Sequence, residues 1–338
     1  MIKKLLNEKL LNGKNLTREE SFNLFSRLSE CPPEQQAAII ALLRAKHEST
    51  EEILGALDCF TTKTLAIKDP SIPPNVIDIV GTGGDCMGTF NISTTASIVI
   101  SSCGVSVAKH GSKSWTSKSG SMDFVESLGI KFPETAEDVL RSLAAHNCAF
   151  LFASIFNGEF KKYGALICGI KMSTIFNICG PLMNPVNPKR QVVGVYRKDL
   201  VRTIAEVMKM RNFSHALVVH SADGLDELSV SAVSNVAEVS NGTIREYTVN
   251  PRDLGIAPSE LSEIIGGNAD QNRQIAIGIL SGEITGAKLD IVALNSAAGL
   301  YVAGAVKTLK DGVKMARDAI SSGQAMKQLN ALRNGGTL

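Results

Sequence analysis

The sequence predicts an α/β protein: a large domain on a mostly parallel central sheet, preceded by a small all-helical domain. Three observations carry this. Residues 1–68 hold helix signals only. After the proline-rich Asp69–Pro74, apolar strand-like runs alternate with helical segments, the pattern of a parallel sheet with helices on both faces. Late in that alternation, Asn241-Gly242 separates two strand-like runs and signals a hairpin.

The elements follow in order. Thr17-Arg18-Glu19-Glu20 and Ser49-Thr50-Glu51-Glu52 fit the capping box, in which a hydroxyl and a carboxylate satisfy free N–H groups at a helix start. Pro32-Pro33 separates two helices by fixing φ and removing donors. Leu24, Ala37, Ile40, Leu42 and Leu43 supply an apolar face. So small a bundle has little core of its own, so it is expected to pack on the rest of the protein or on a second copy. Asp69–Pro74 is a stiff linker, which sets the domains at 1–70 and 71–338. Strands are expected at 76–80, 105–108, 149–153, 191–196, 215–220, 236–239 and 243–249. Helices are expected at 93–102, 120–128, 135–146, 198–211 and from about 270 onward.

Composition narrows the function. The chain has 338 residues, 44% hydrophobic and 5% aromatic, as aliphatic α/β enzymes have. A net charge of +2 is too mild for a nucleic-acid or membrane surface. Seven cysteines, at 31, 59, 86, 103, 148, 168 and 179, form no Cys-x-x-Cys pair. They predict buried thiols in a reducing compartment rather than disulfides or zinc. Met1–Leu11 lacks the apolar core and cleavage site of a signal peptide. No apolar run approaches the roughly 18 residues that a membrane span needs. A cytoplasmic enzyme is expected.

Two loops point to a phosphorylated ligand. Val76–Val80 reads as a buried strand, followed by four glycines within Gly81–Gly88 and then by Asn91-Ile92-Ser93-Thr94 at a helix start. Glycines let the backbone turn its N–H groups onto an anion, and the helix N-terminus adds hydroxyls and a favourable dipole. An ordinary tight turn would use the same glycines. The loop is neither Gly-x-Gly-x-x-Gly nor Gly-x-x-x-x-Gly-Lys-Ser, so dinucleotide and Walker-type signatures are absent. The next strand leads into Lys109–Asp123, with three lysines, five serines, one threonine and two glycines. Loops at strand C-termini are where α/β sheets hold ligands. Two such loops on consecutive strands suggest one ligand with several phosphates.

Together the loops resemble the anthranilate phosphoribosyltransferase family. The matching residues are Gly81-Thr82-Gly83-Gly84-Asp85, Thr89–Thr94, Lys109-His110-Gly111 and Ser117–Ser121. They continue through Thr174-Ile175-Phe176-Asn177, Gly180–Pro185, Gly194-Val195-Tyr196 and Asp223–Glu227. The resemblance implies a helical domain completed by part of 155–185, a homodimer joined through that domain, and the nucleoside phosphorylase/phosphoribosyltransferase type of fold. It also implies transfer of a phosphoribosyl group from 5-phosphoribosyl-1-pyrophosphate (PRPP) to the amine of anthranilate, with magnesium, in tryptophan biosynthesis.

By the same resemblance, PRPP contacts Gly81, Gly84, Asp85, Thr89, Asn91, Ser93, Thr94, Lys109, Ser117 and Ser121. Asp226, Glu227 and the Ser93 hydroxyl hold magnesium, which favours hard oxygens and keeps waters. A solvated acidic pair is the bland reading of Asp226-Glu227. Lys109 suits a phosphate, though a lysine in a polar loop is commonly just solvated. His110 reads as a general base or as a structural part of its loop.

The acceptor side, implied at Gly81, His110 and Ser112, departs from the pattern. The family's Lys-His-Gly-Asn-Arg is Lys109-His110-Gly111-Ser112-Lys113 here. Its carboxylate-pairing Arg falls at Ile167, its nearby His at Asn157 and its later Arg at Ser173. Lys161, Lys162 and Lys171 are the nearby cations, but a lysine does not reproduce an arginine fork. The sequence therefore allows anthranilate or another aromatic or heterocyclic amine. Two other readings are a nucleoside phosphorylase, which would not need Asp226-Glu227, and a nucleic-acid-binding relative, which would need an extended basic face.

Overall fold

The computed structural model describes residues 2–113 and 120–335. One seven-stranded sheet comprises β1 (Ile77–Gly81), β2 (Val107–Gly111), β3 (Cys148–Phe152), β4 (Arg190–Gly194), β5 (His215–Ser221), β6 (Ser234–Ser240) and β7 (Thr243–Val249). Their order is β3-β2-β1-β4-β5-β6-β7. The first five run parallel, while β6 and β7 close one edge as the antiparallel hairpin expected around Asn241-Gly242. Chain order departs in opposite directions from β1 and β4. Their carboxyl ends therefore flank the crevice where open α/β sheets bind ligands.

Expected and observed elements agree in kind and shift at their ends. β2 is the instructive case. It is expected at 105–108, but it starts at Val107 and runs through Lys109 and His110 to Gly111. Both polar residues lie inside the sheet because it satisfies them. Lys109 Nζ donates to the Ile79 carbonyl at 2.6 Å, and the His110 N–H donates to Asp78 Oδ1 at 3.3 Å.

Each face of the sheet buries its own apolar layer. One face packs against the helices Ile92–Ser102 and Ala287–Ala303, on which Leu309–Ser321 packs in turn. The other packs against Leu200–Met210 and continues without a break into the N-terminal helices. Both expected capping boxes form, at Thr17/Glu20 and Ser49/Glu52, and Pro33 opens the helix Pro33–Lys46 at its first position. The N-terminal bundle shares its core with the rest of the chain. Phe25 and Phe60 stack edge-on at 5.2 Å and pack with Phe176, while Tyr163 OH donates to the Phe25 carbonyl at 3.2 Å.

All seven cysteines are free thiols. The buried-thiol expectation holds at Cys148 and Cys179 only: Cys31, Cys59 and Cys103 are half-buried, and Cys86 and Cys168 are exposed because a glycine-rich loop and a short helix carry them out of the core. Among the described residues no helix is long and apolar enough to cross a membrane.

Candidate functional site

The site grows from two glycines. Gly81 and Gly194 end β1 and β4 and face each other in register. A Cβ on Gly81 would overlap the Asp226 carboxylate, and one on Gly194 would overlap the Asp226 backbone. Asp226 thus enters the crevice because neither strand carries a side chain there, and the Gly83 N–H donates to its Oδ2 at 2.7 Å. The solvated-pair reading is corrected at this residue: Asp226 is buried.

The glycine-rich loop wraps this carboxylate. Gly83, Gly84 and Gly88 all have positive φ, at 64°, 82° and 71°, a region that costs glycine little. Thr89 bridges to Ile265, and the Gly266 N–H donates to the Gly88 carbonyl at 2.9 Å, so the loop leans on a distant segment. Asn272 Nδ2 donates to Asn91 Oδ1 at 3.0 Å and orients that amide at the start of the helix Ile92–Ser102. Ser93 donates both its N–H and its hydroxyl to Glu227. Thr94, the next residue, is buried at 1% exposure.

Negative charge is concentrated here at a cost. Burial pushes Asp226 well above the usual carboxylate range, and the neighbouring charges of Asp85 and Glu227 push the same way. Glu227 is pushed up to about 7, chiefly by burial; Asp85 adds to the shift, while Lys109 and the Ser93 hydrogen bonds oppose it. Lys109 is buried too, and desolvation lowers its pKa against the pull of Asp78 and Glu227. The solvated-lysine reading is corrected: its ammonium lies under the site. Asp78 anchors it there and is held by Asn184 Nδ2 at 2.9 Å, with its own pKa pushed up to about 6 by burial.

These carboxylates fit magnesium. Among the described residues no three His, Cys, Asp or Glu side chains form a ready metal cage. One or two carboxylates facing a phosphate loop are instead how magnesium is commonly held, with substrate oxygens and waters completing the shell. A divalent cation would offset both the burial and the like-charge repulsion that raise Asp226 and Glu227.

The acceptor-side residues separate. His110 is buried, and its ring nitrogens are engaged by Asn157 Nδ2, at 3.0 Å from Nε2, and by the Gly180 backbone. Burial lowers its pKa to about 4, so the ring is neutral near pH 7. Asn157 is fully used, its amide donating also to the Met183 carbonyl and accepting from Thr64 Oγ1. The Ser112 carbonyl accepts from Ser121 Oγ at 3.2 Å, which ties the two ends of the second loop together. Ser173 Oγ donates to the Gly84 carbonyl at 3.3 Å. Ile167 packs against the apolar cluster of the N-terminal helices. Ser117 lies outside the described residues.

Residues 73–326 match the family model of the glycosyl transferase family a/b domain, and residues 4–62 match its helical bundle domain. A Petrotoga mobilis anthranilate phosphoribosyltransferase is 40% identical over 96% of this chain and 94% of its own length. The chain belongs to the anthranilate phosphoribosyltransferase family. The Thermus thermophilus member superposes with a TM-score of 0.86 at 32% identity, covering 98% of each chain. The Saccharomyces cerevisiae enzyme, solved with PRPP and Mg, superposes at 0.88 with 25% identity, covering 99% of each chain.

Within this family fold, several residues that shape the site carried no role in the sequence reading. Asn177 Nδ2 donates to the Thr82 carbonyl at 3.4 Å, and the Tyr196 N–H donates to Thr82 Oγ1 at 3.1 Å. Asn177, Asn184, Gly194 and Tyr196 all lie in the quoted motifs, so the signal was present without a chemical assignment. Asp78 carried no such signal, because an acid inside an apolar run looks like a strand's exposed face.

Proposed function

We propose that the chain transfers the 5-phosphoribosyl group of PRPP to the amine of anthranilate and releases pyrophosphate, a step of tryptophan biosynthesis. The observation that carries this is Asp226 lodged between Gly81 and Gly194 beside the glycine-rich loop, with Glu227 next to it on Ser93 at a helix N-terminus. The relatives' names support the acceptor.

In this reading Gly81, Gly84, Asp85, Thr89, Asn91, Ser93 and Thr94 form the PRPP cradle, with Lys109 beneath it, joined by Ser117 and by Ser121 at the start of the helix Ser121–Ser127. Asp226, Glu227 and Ser93 would hold magnesium, which when bound draws negative charge off the departing pyrophosphate. The C1–oxygen bond to pyrophosphate breaks and its electron pair leaves with that group. The amine lone pair forms the new C1–nitrogen bond. The chain's contribution is to orient both partners and to supply fixed dipoles where charge develops. His110, neutral and doubly hydrogen-bonded, supports the wall on the acceptor side rather than accepting a proton. The amine proton passes to the acceptor's own carboxylate or to solvent.

Pyrophosphate release from PRPP and magnesium, with and without anthranilate, tests the reading. Stimulation by anthranilate is expected, and no stimulation by it overturns the acceptor. A second reading, another aromatic or heterocyclic amine, is favoured by one observation: Ile167 is apolar and packed where the family places its carboxylate-pairing arginine. We also infer helical (1–70, with part of 155–185) and catalytic (71–338) domains, a homodimer through the helical one, and a cytoplasmic setting. Sedimentation checks the dimer.

A further inference from the structure

We infer that Arg44 recognises the acceptor's carboxylate and so replaces, from a different element, the arginine missing at Ile167. The inference rests on the anthranilate reading. Arg44 stands near the end of the helix Pro33–Lys46 and is half-buried. Its Nε donates to the Ser173 carbonyl at 3.1 Å, and its guanidinium carbon lies 5.4 Å from the centroid of the Tyr196 ring. Ser173 in turn touches Gly84 through its hydroxyl. One residue therefore separates the guanidinium from the loop assigned to PRPP.

The rest of the guanidinium makes no hydrogen bond, although the buried Glu48 carboxylate lies within its electrostatic reach. Neither Nη group has a hydrogen bond or ion pair among the described residues. An arginine fixed at Nε and laid against an aromatic ring, with its fork open, is pre-organised for a planar carboxylate. Three other described cations of the region are committed. Lys109 Nζ is buried on the Ile79 carbonyl, and Lys113 Nζ pairs with Glu126 at 2.7 Å. Arg197 pairs with Glu48 at 3.0 Å and with Asp199 at 2.6 Å. Arg44 alone among these four combines the right position with an unused fork.

The test compares anthranilate with 2-aminobenzamide, which keeps the ring and amine but exchanges the carboxylate for an uncharged amide. With saturating PRPP and magnesium, Arg44→Ala is expected to raise the KM for anthranilate by at least about tenfold, as losing a charge-assisted pair does. The KM for 2-aminobenzamide and for PRPP should stay within about twofold of wild type, and Arg44→Lys should recover only part of the loss. Equal weakening of both acceptors, or of neither, overturns the inference. If Arg44→Ala does not fold, Arg44→Gln and the wild type's own preference decide. A wild type that uses both acceptors equally well overturns it too. Wild-type protein that releases pyrophosphate with neither acceptor instead overturns the proposed reaction. Arg44 is then judged by direct binding of anthranilate, and equal affinity in wild type and Arg44→Ala overturns its role.

Discussion

Gly194 makes room for Asp226: the aspartate's backbone occupies the space that a Cβ on the last residue of β4 would fill. Its side chain fills the matching space beside Gly81. Two strand-ending glycines therefore set the height at which Asp226 faces the glycine-rich loop.

Gly194→Ala should consequently lose activity and stability together. The methyl cannot rotate away, and the obstructing atoms are backbone, so Asp226 or β4 has to move. Overpacking of this kind costs about 1–3 kcal/mol. The urea midpoint should fall, and PRPP-dependent pyrophosphate release should drop further than the stability loss explains. Full activity would show that Asp226 does not need this placement.

Replacing both acids separates chemistry from folding. Asp226→Asn with Glu227→Gln removes two carboxylates whose ionisation burial opposes, while keeping hydrogen-bonding groups at both positions. The magnesium-free protein should melt no lower than wild type, since a buried like-charge pair is relieved. Turnover should fall by at least about a hundredfold, the scale of losing a fixed electrostatic element. Retained magnesium-dependent turnover would remove these residues from the mechanism.

How far the sequence revealed this site differs residue by residue. Strand–helix alternation and both capping boxes were legible because each is local, resting on spacing within a few residues. The glycine loop and the acid pair were legible as motifs. Their meeting was not, since Gly194 and Asp226 are joined only by strand order. Lys109 and His110 were misplaced in a loop for a related reason. Their burial depends on Ile79, Asp78 and Asn157, which lie far away in the chain, and polarity alone marks such residues as exposed. Arg44 was invisible as a site residue because it lies in a helix that reads simply as part of a bundle.

Acid stability should depend on Glu238. His215 Nε2 at 2.9 Å, Tyr301 OH at 2.8 Å and an Arg245 Nη at 2.9 Å surround its carboxylate. The His215 hydrogen bond leads in lowering its pKa, from 4.5 to about 2. A depressed folded pKa contributes stability above the unfolded value, and that stability is lost as pH falls through the folded one. Wild-type protein should therefore lose stability between pH 4.5 and about 2, and Glu238→Gln should show a flatter profile there. Denaturant midpoints across that range would measure it. Parallel profiles would rule out Glu238 as the source.

His110 should act in a different, higher window with the same downward direction of shift. Burial and the charge of Lys109 lower its pKa from 6.5 to about 4, while the Gly180 hydrogen bond only partly opposes them. Below pH 6.5 the unfolded chain takes up a proton that the folded ring refuses, so stability falls as pH falls toward 4. For a fully buried ring the loss is on the order of 3 kcal/mol. His110→Gln offers an acceptor to Asn157 and a donor to the Gly180 backbone without titrating. It should cost some stability at pH 7, yet the gap to wild type should narrow by pH 4.5. Urea denaturation of both proteins at the two pH values decides the matter. A constant gap would mean that the ring is protonated in the folded state after all, and would reopen its candidacy as a proton-transfer group.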